Sequence, residues 1–165
     1  MIRSLLILVF LFYPTTDKIH RIPTSFIDIK RNLKEVNDFT LIYLFKPSCQ
    51  PSVHNLSKLQ EIKRDYNFNV ILLTTAKENV DLLKKYDFDT CHYFNPLIYK
   101  THTLDFDEYD QFTNEVFTDA NIIEPSYRIR FPAVFIYNRK RKLIYYNEDE
   151  NSTVLDFHKI ISLKQ

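Results

Sequence analysis

Along the chain, apolar and polar positions alternate between two kinds of pattern. From Ser25, Phe26, Ile29, Leu33 and Val36 recur at helical spacing, with Ser25 as N-cap. Phe39 to Phe45 (FTLIYLF) is a nearly unbroken apolar run, the pattern of a strand buried on both faces. Val53, Leu56, Leu59, Ile62 and Tyr66 return to a period of three to four, predicting an amphipathic helix. Asn69 to Thr75 (NVILLTT) is a second buried strand, and Asn79 to Tyr86 a short helix. This order, α-β-α-β-α, implies a parallel sheet with helices on its faces.

The pattern weakens between Asp87 and Tyr127, where Thr90–Phe94 reads as a short strand and Asp107–Phe117 as an acidic helix. It sharpens again at Ala133–Tyr137 and Leu143–Tyr146, two strands joined by Asn138–Lys142 as a hairpin, with Asn138 standing in for a turn glycine. Ser152 is expected to cap a last helix carrying Val154, Leu155, His158, Ile161 and Leu163. No internal repeat and no second domain are visible.

Residues 1–14 form a leader, with one early arginine and an apolar run from Leu5 to Tyr13. That run falls short of the ~20 residues a membrane span needs and fits the h-region of an export signal. Residues 15–24, polar and containing Pro23, are expected to be a linker, and residues 25–165 the domain. The expected location is outside the cytoplasm, periplasmic or membrane-associated, with membrane contact through the leader where it is not cleaved.

Composition changes the picture in two places. The chain has 22 basic and 21 acidic residues, a formal charge of +1, so it is no polybasic nucleic-acid binder. It has no glycine, which excludes P-loops, dinucleotide fingerprints and EF-hands and leaves left-handed backbone positions to Asn or Asp.

The candidate chemistry sits where the first buried strand ends. Lys46-Pro47-Ser48-Cys49-Gln50-Pro51-Ser52 is a turn that opens a helix. A cysteine there faces unpaired backbone N–H groups and the positive end of the helix dipole, so Cys49 is expected to be a lowered-pKa, reactive thiol. Pro51 suits the first helical turn. Ser52, three residues after Cys49, could donate a hydrogen bond to the thiolate.

The strand FTLIYLF, the turn KPSCQPS, the helix VHNLSKLQEI, the strand NVILLTT and the segment FPAVFIYNRKRKLIYY together resemble the thioredoxin-like superfamily, and most nearly its exported bacterial thioredoxin and redoxin branch. The resemblance covers roughly residues 25–86 and 127–163. It implies a three-layer α/β sandwich whose central mixed sheet has four or five strands flanked by helices, with an insertion before the final hairpin. It also implies that Phe131-Pro132 corresponds to the family's cis-proline dipeptide beside the active cysteine, where an extended substrate pairs with the Phe131 backbone.

The chain departs from that family at one position. The family's redox motif is C-x-x-C, and here it is C-x-x-S. A dithiol enzyme releases its mixed disulfide with the second thiol; Ser52 cannot. Two readings stay open at this point: a monothiol thiol–disulfide oxidoreductase or isomerase working through Cys49 on protein thiols or disulfides, and a redox-inactive module that binds extended peptide or serves as a scaffold. Cys91 would rescue a dithiol couple if the fold brought it to Cys49, but its plain reading is a small buried hydrophobe.

No cofactor and no metal are expected. His54, five residues after Cys49, is off its helical face; Asp105, Asp107, Glu108 and Asp110 lack the glycine and closing glutamate of a calcium loop. Arg139–Lys142 reads first as a charged turn guarding a sheet edge, with anionic-headgroup or partner binding as the alternative. Lys46 stands where peroxiredoxins place Thr or Ser, and the glycine-bearing motifs of monothiol glutaredoxins are missing.

Overall fold

The computed structural model describes residues 18–24, 39–75, 79–94, 131–147 and 155–164. The leader, the helix expected from Ser25, the acidic helix at Asp107–Phe117 and the Ser152 cap lie outside the described residues.

In chain order the elements are β1 (His20–Thr24), β2 (Phe39–Leu44), α1 (Gln50–His54), α2 (Leu56–Asp65), β3 (Asn69–Thr75), a 3₁₀ turn (Asp81–Tyr86), β4 (Thr90–Phe94), β5 (Ala133–Asn138), β6 (Leu143–Tyr146) and α3 (Phe157–Ser162). The six strands make one mixed sheet in the order β1-β4-β3-β2-β5-β6. The first four in that order run parallel; β5 is antiparallel to β2, and β6 to β5.

The unbroken apolar run of β2 follows from its central place. Leu41, Tyr43 and Phe45 enter one core cluster with Leu56, Leu59 and Ile62 of α2, while Ile42 and Leu44 point to the other face with Leu73, Phe135 and Tyr137. Every one of these side chains is essentially fully buried. A strand with neighbours on both sides and cores on both faces shows no apolar–polar alternation, and even its Thr40 is buried.

The structure departs from the expectations at particular elements. The sheet has six strands rather than four or five, because the second half of the expected linker is β1. HRIPT lacks a strand-like apolar run, but an edge strand has one free side and tolerates Pro23 there. It is held by the His20 N–H to Asp89 carbonyl bond at 2.7 Å, and Arg21 lies 5.1 Å from the centre of the Tyr93 ring. The short strand expected at Thr90–Phe94 is β4, and it belongs to the sheet.

The helix expected from Val53 to Tyr66 runs through α1 and α2, which meet at Asn55; that residue keeps right-handed φ and ψ of −77° and −12°, and its N–H bonds to the Pro51 carbonyl at 3.4 Å. The last helix starts at Phe157 and is capped by Asp156, whose Oδ1 accepts from the Lys159 N–H at 3.0 Å. Among the described residues the left-handed positions are Asn67, Asp87 and Arg141. Two of them match the expectation for a glycine-free chain. In the hairpin, however, Asn138 works through its side chain: Oδ1 accepts from the N–H groups of Lys140 (2.9 Å) and Lys142 (3.1 Å), and the positive φ of 58° falls on Arg141.

Candidate functional site

The Cys49 turn is built by the end of β2. The Phe45 N–H still bonds to the Leu73 carbonyl at 3.0 Å, after which the chain leaves the sheet. The turn is closed by the Cys49 N–H on the Lys46 carbonyl at 2.9 Å. Cys49 is the N-cap of α1, with extended φ and ψ of −97° and 111°, and its carbonyl accepts from the Val53 N–H at 3.1 Å. Pro51 lies in the first turn, where the missing donor costs nothing.

The Cys49 side chain is partly exposed. Its Sγ lies 3.7 Å from the carbonyl oxygen of Phe131, which the fold brings in from 82 residues away. The Phe131–Pro132 peptide bond is cis. Pro132 is buried and Phe131 half-buried against the second core cluster. Thus Cys49, Pro51, Ser52, Phe131 and Pro132 come together at the end of β2.

Ser52 is tied into the turn from beneath the helix start. It is fully buried, and its Oγ accepts from the Lys46 N–H at 3.4 Å. Its carbonyl accepts from the Tyr43 hydroxyl at 2.9 Å. Burial pushes the Tyr43 phenol well above its ordinary value, and the nearby Cys49 acts in the same direction. Tyr43 is therefore a neutral donor under the turn at any physiological pH.

Two residues of this site escape sequence reasoning. Tyr43 stands inside a run that reads only as core, and nothing distinguishes it from Leu41 or Phe45 until its hydroxyl is placed. Asn147 follows β6 without a motif, yet its Oδ1 accepts from the Val134 N–H at 2.7 Å and its Nδ2 donates to the Pro132 carbonyl at 3.3 Å. It fixes the segment that carries Pro132 past the sulfur.

Cys91 does not join the site. It lies in β4, two strands from β2, about 9–10 Å away by strand spacing. It is buried in the first core cluster, and its thiol faces the Leu72 carbonyl at 3.8 Å. Burial pushes that thiol up to about 12. Both cysteines are free thiols, and the plain reading of Cys91 holds. His54 is exposed, and among the described residues no three His, Cys, Asp or Glu side chains cluster as a metal site. The Asp105–Asp110 cluster lies outside the described residues. Among those residues no helix is long and apolar enough to cross a membrane.

No family model and no curated protein matches the chain. Solved structures do. A thioredoxin-like protein in its oxidised form is 14% identical with a TM-score of 0.52, over 82% of this chain and 82% of that one. A thiol:disulfide interchange protein of the thioredoxin family from Chlorobium tepidum is 12% identical with a TM-score of 0.50, over 82% and 83%. A putative thioredoxin from Neisseria meningitidis is 17% identical with a TM-score of 0.49, over 81% and 75%. With the sheet order above, the likeness establishes the architecture: this chain has a thioredoxin-like α/β fold.

Proposed function

We propose that this chain is an exported protein that takes part in thiol–disulfide exchange through one reactive cysteine, Cys49. The observation that carries the reading is the placement of a partly exposed Cys49 Sγ 3.7 Å from the Phe131 carbonyl, with Ser52 buried below it and Cys91 held in the core. The Chlorobium tepidum neighbour, a thiol:disulfide interchange protein, supports the same chemistry.

In the forward step the Cys49 thiolate attacks one sulfur of a substrate disulfide. A Cys49–substrate disulfide forms, the substrate S–S bond breaks, and the other substrate sulfur leaves as thiolate. Ser52 has no thiol with which to reverse this internally, so a second, external thiolate must attack the mixed disulfide, restoring Cys49 and leaving with the substrate sulfur. The cycle is redox-neutral for Cys49 and suits isomerisation or thiol transfer. The partners are protein thiols or disulfides on extended segments, which would lie along Phe131 and Pro132. The leader, with its apolar run from Leu5 to Tyr13, supports a periplasmic or membrane-associated location.

Incubation with a disulfide-bonded peptide, followed by intact-mass measurement, tests this. One adduct on Cys49, released by added thiol and absent in Cys49→Ala, is the expected result. No adduct at any pH up to about 8.5, the ordinary thiol range, would leave the other reading, a redox-inactive module that binds peptide or acts as a scaffold.

A further inference from the structure

The register of β5 on β2 fixes where the basic hairpin lies relative to Cys49. Ala133 pairs with Leu44, at the Cys49 end of the sheet, and Asn138 pairs with Phe39, at the opposite end. The Arg139–Lys142 tip is therefore separated from the thiol end by the length of β2, about 17 Å. Arg139, Lys140 and Lys142 are exposed there, and the Asn138 carboxamide holds the Lys140 and Lys142 N–H groups, which fixes the loop.

Other elements bring charge to the same end. Helix α2 ends there, with Lys63 exposed beside Arg64, and β3 starts there. Among the described residues three acidic groups lie at this pole: Asp65 is offset by Arg64 at 2.6 Å, while Asp87 and Asp89 accept from the neutral Gln60 amide (2.9 Å) and Thr90 hydroxyl (3.1 Å) and keep their charge, so Lys63 and the four basic residues of the hairpin tip still outnumber them. β1 also begins at this pole, since His20 pairs with Thr90. The leader therefore joins the fold here. Between Tyr13 and Lys18 stand only residues 14–17, a reach of at most about 17 Å when fully extended.

We propose that, in the chain that keeps its leader, this basic pole docks on an anionic lipid surface and holds Cys49 on the side facing away from the bilayer. A nine-residue apolar run, Leu5–Tyr13, is too short to span and gives only a weak, reversible hold; a polybasic patch within a Debye length of the headgroups supplies the second attachment. Topology makes the two act together, because the leader leaves the fold at the pole that carries the lysines. This orientation stands apart from the thiol chemistry and holds or fails without it.

Flotation of the full chain with vesicles of phosphatidylcholine alone, or of phosphatidylcholine with phosphatidylglycerol, tests the proposal. The expected result is stronger binding to the anionic vesicles, reversed at high salt, and a loss of about tenfold or more in the Lys140→Gln/Lys142→Gln variant. Equal binding to the two lipids overturns it without any variant, and so does an unchanged partition of a folded double variant. A fluorophore on Cys49 should keep its emission when lipid-borne quenchers are present. Quenching would overturn the orientation.

Discussion

Asn147 holds Val134 from both sides. Its Oδ1 accepts from the Val134 N–H at 2.7 Å, and its own N–H donates to the Val134 carbonyl at 3.3 Å. With Nδ2 on the Pro132 carbonyl at 3.3 Å, one residue extends the β5–β6 ladder beyond Tyr146 and fixes the strand as it emerges beside the Cys49 sulfur. β6 is an edge strand, so this side chain does at the site what a further strand does elsewhere in the sheet.

Replacing Asn147 by Ala removes the acceptor of the Val134 N–H next to buried Pro132 and Ala133. The loss should be about 1–3 kcal/mol of unfolding free energy, the range for stranding a buried donor. Asn147→Asp keeps an acceptor for Val134 and loses only the bond to Pro132, so it should cost less than Ala. Urea unfolding of the three proteins checks the order. Equal midpoints for Ala and wild type would show that the carboxamide carries no load.

The two cysteines should behave as different chemical species. Cys49 is partly exposed, whereas Cys91 is 1% exposed, with its thiol pushed up to about 12 by burial. At pH 8 a small alkylating reagent should add once, at Cys49, and add a second time only after denaturation. Peptide mapping locates the labels. Rapid native labelling at Cys91 would contradict its place in the core.

Most of the fold is legible in the sequence because burial on both faces leaves a strong trace. FTLIYLF and NVILLTT could be little else than central strands, and the turn after the first of them marks the site. What is not legible depends on partners. His20–Thr24 has too little apolar content to announce a strand and becomes one because β4 offers a free edge. Within the site, Cys49, Pro51 and Phe131-Pro132 stand out by residue type. Tyr43 and Asn147 act through hydrogen bonds to the backbone, which leave no mark on the order of the residues.

Tyr43→Phe isolates the bond under the turn. The phenol donates to the Ser52 carbonyl at 2.9 Å in a buried setting, so its removal should cost about 1–2 kcal/mol. The variant should also change the alkaline limb of the stability curve. Burial raises the folded-state phenol above its ordinary 10.0, so below that value Tyr43 is neutral in both states and its contribution is complete. Above it the unfolded chain ionises while the folded one does not, and stability falls as pH rises. Urea midpoints between pH 9 and 11 should fall less steeply in Tyr43→Phe than in wild type. Identical slopes would show that Tyr43 does not contribute to that limb.

The acid limb has its own residue. His92 lies in β4 between β1 and β3, and its Nδ1 is buried with no hydrogen-bond partner among the described residues. Burial chiefly, and then the neighbouring His20, hold its imidazole below the ordinary 6.5. A proton therefore binds the unfolded chain more readily than the folded one. Above pH 6.5 both states are neutral and the contribution of His92 is complete. As pH falls from 6.5 towards the folded-state value, only the unfolded state takes up the proton and stability drops. The first element to feel this is the β1–β4 edge, where the Ile22–His92 pair sits in register. His92→Gln should flatten the fall in thermal midpoint between pH 7 and 5 while leaving the Cys49 adduct assay unchanged. If the slopes of variant and wild type coincide, the protonation that weakens the fold in acid lies elsewhere.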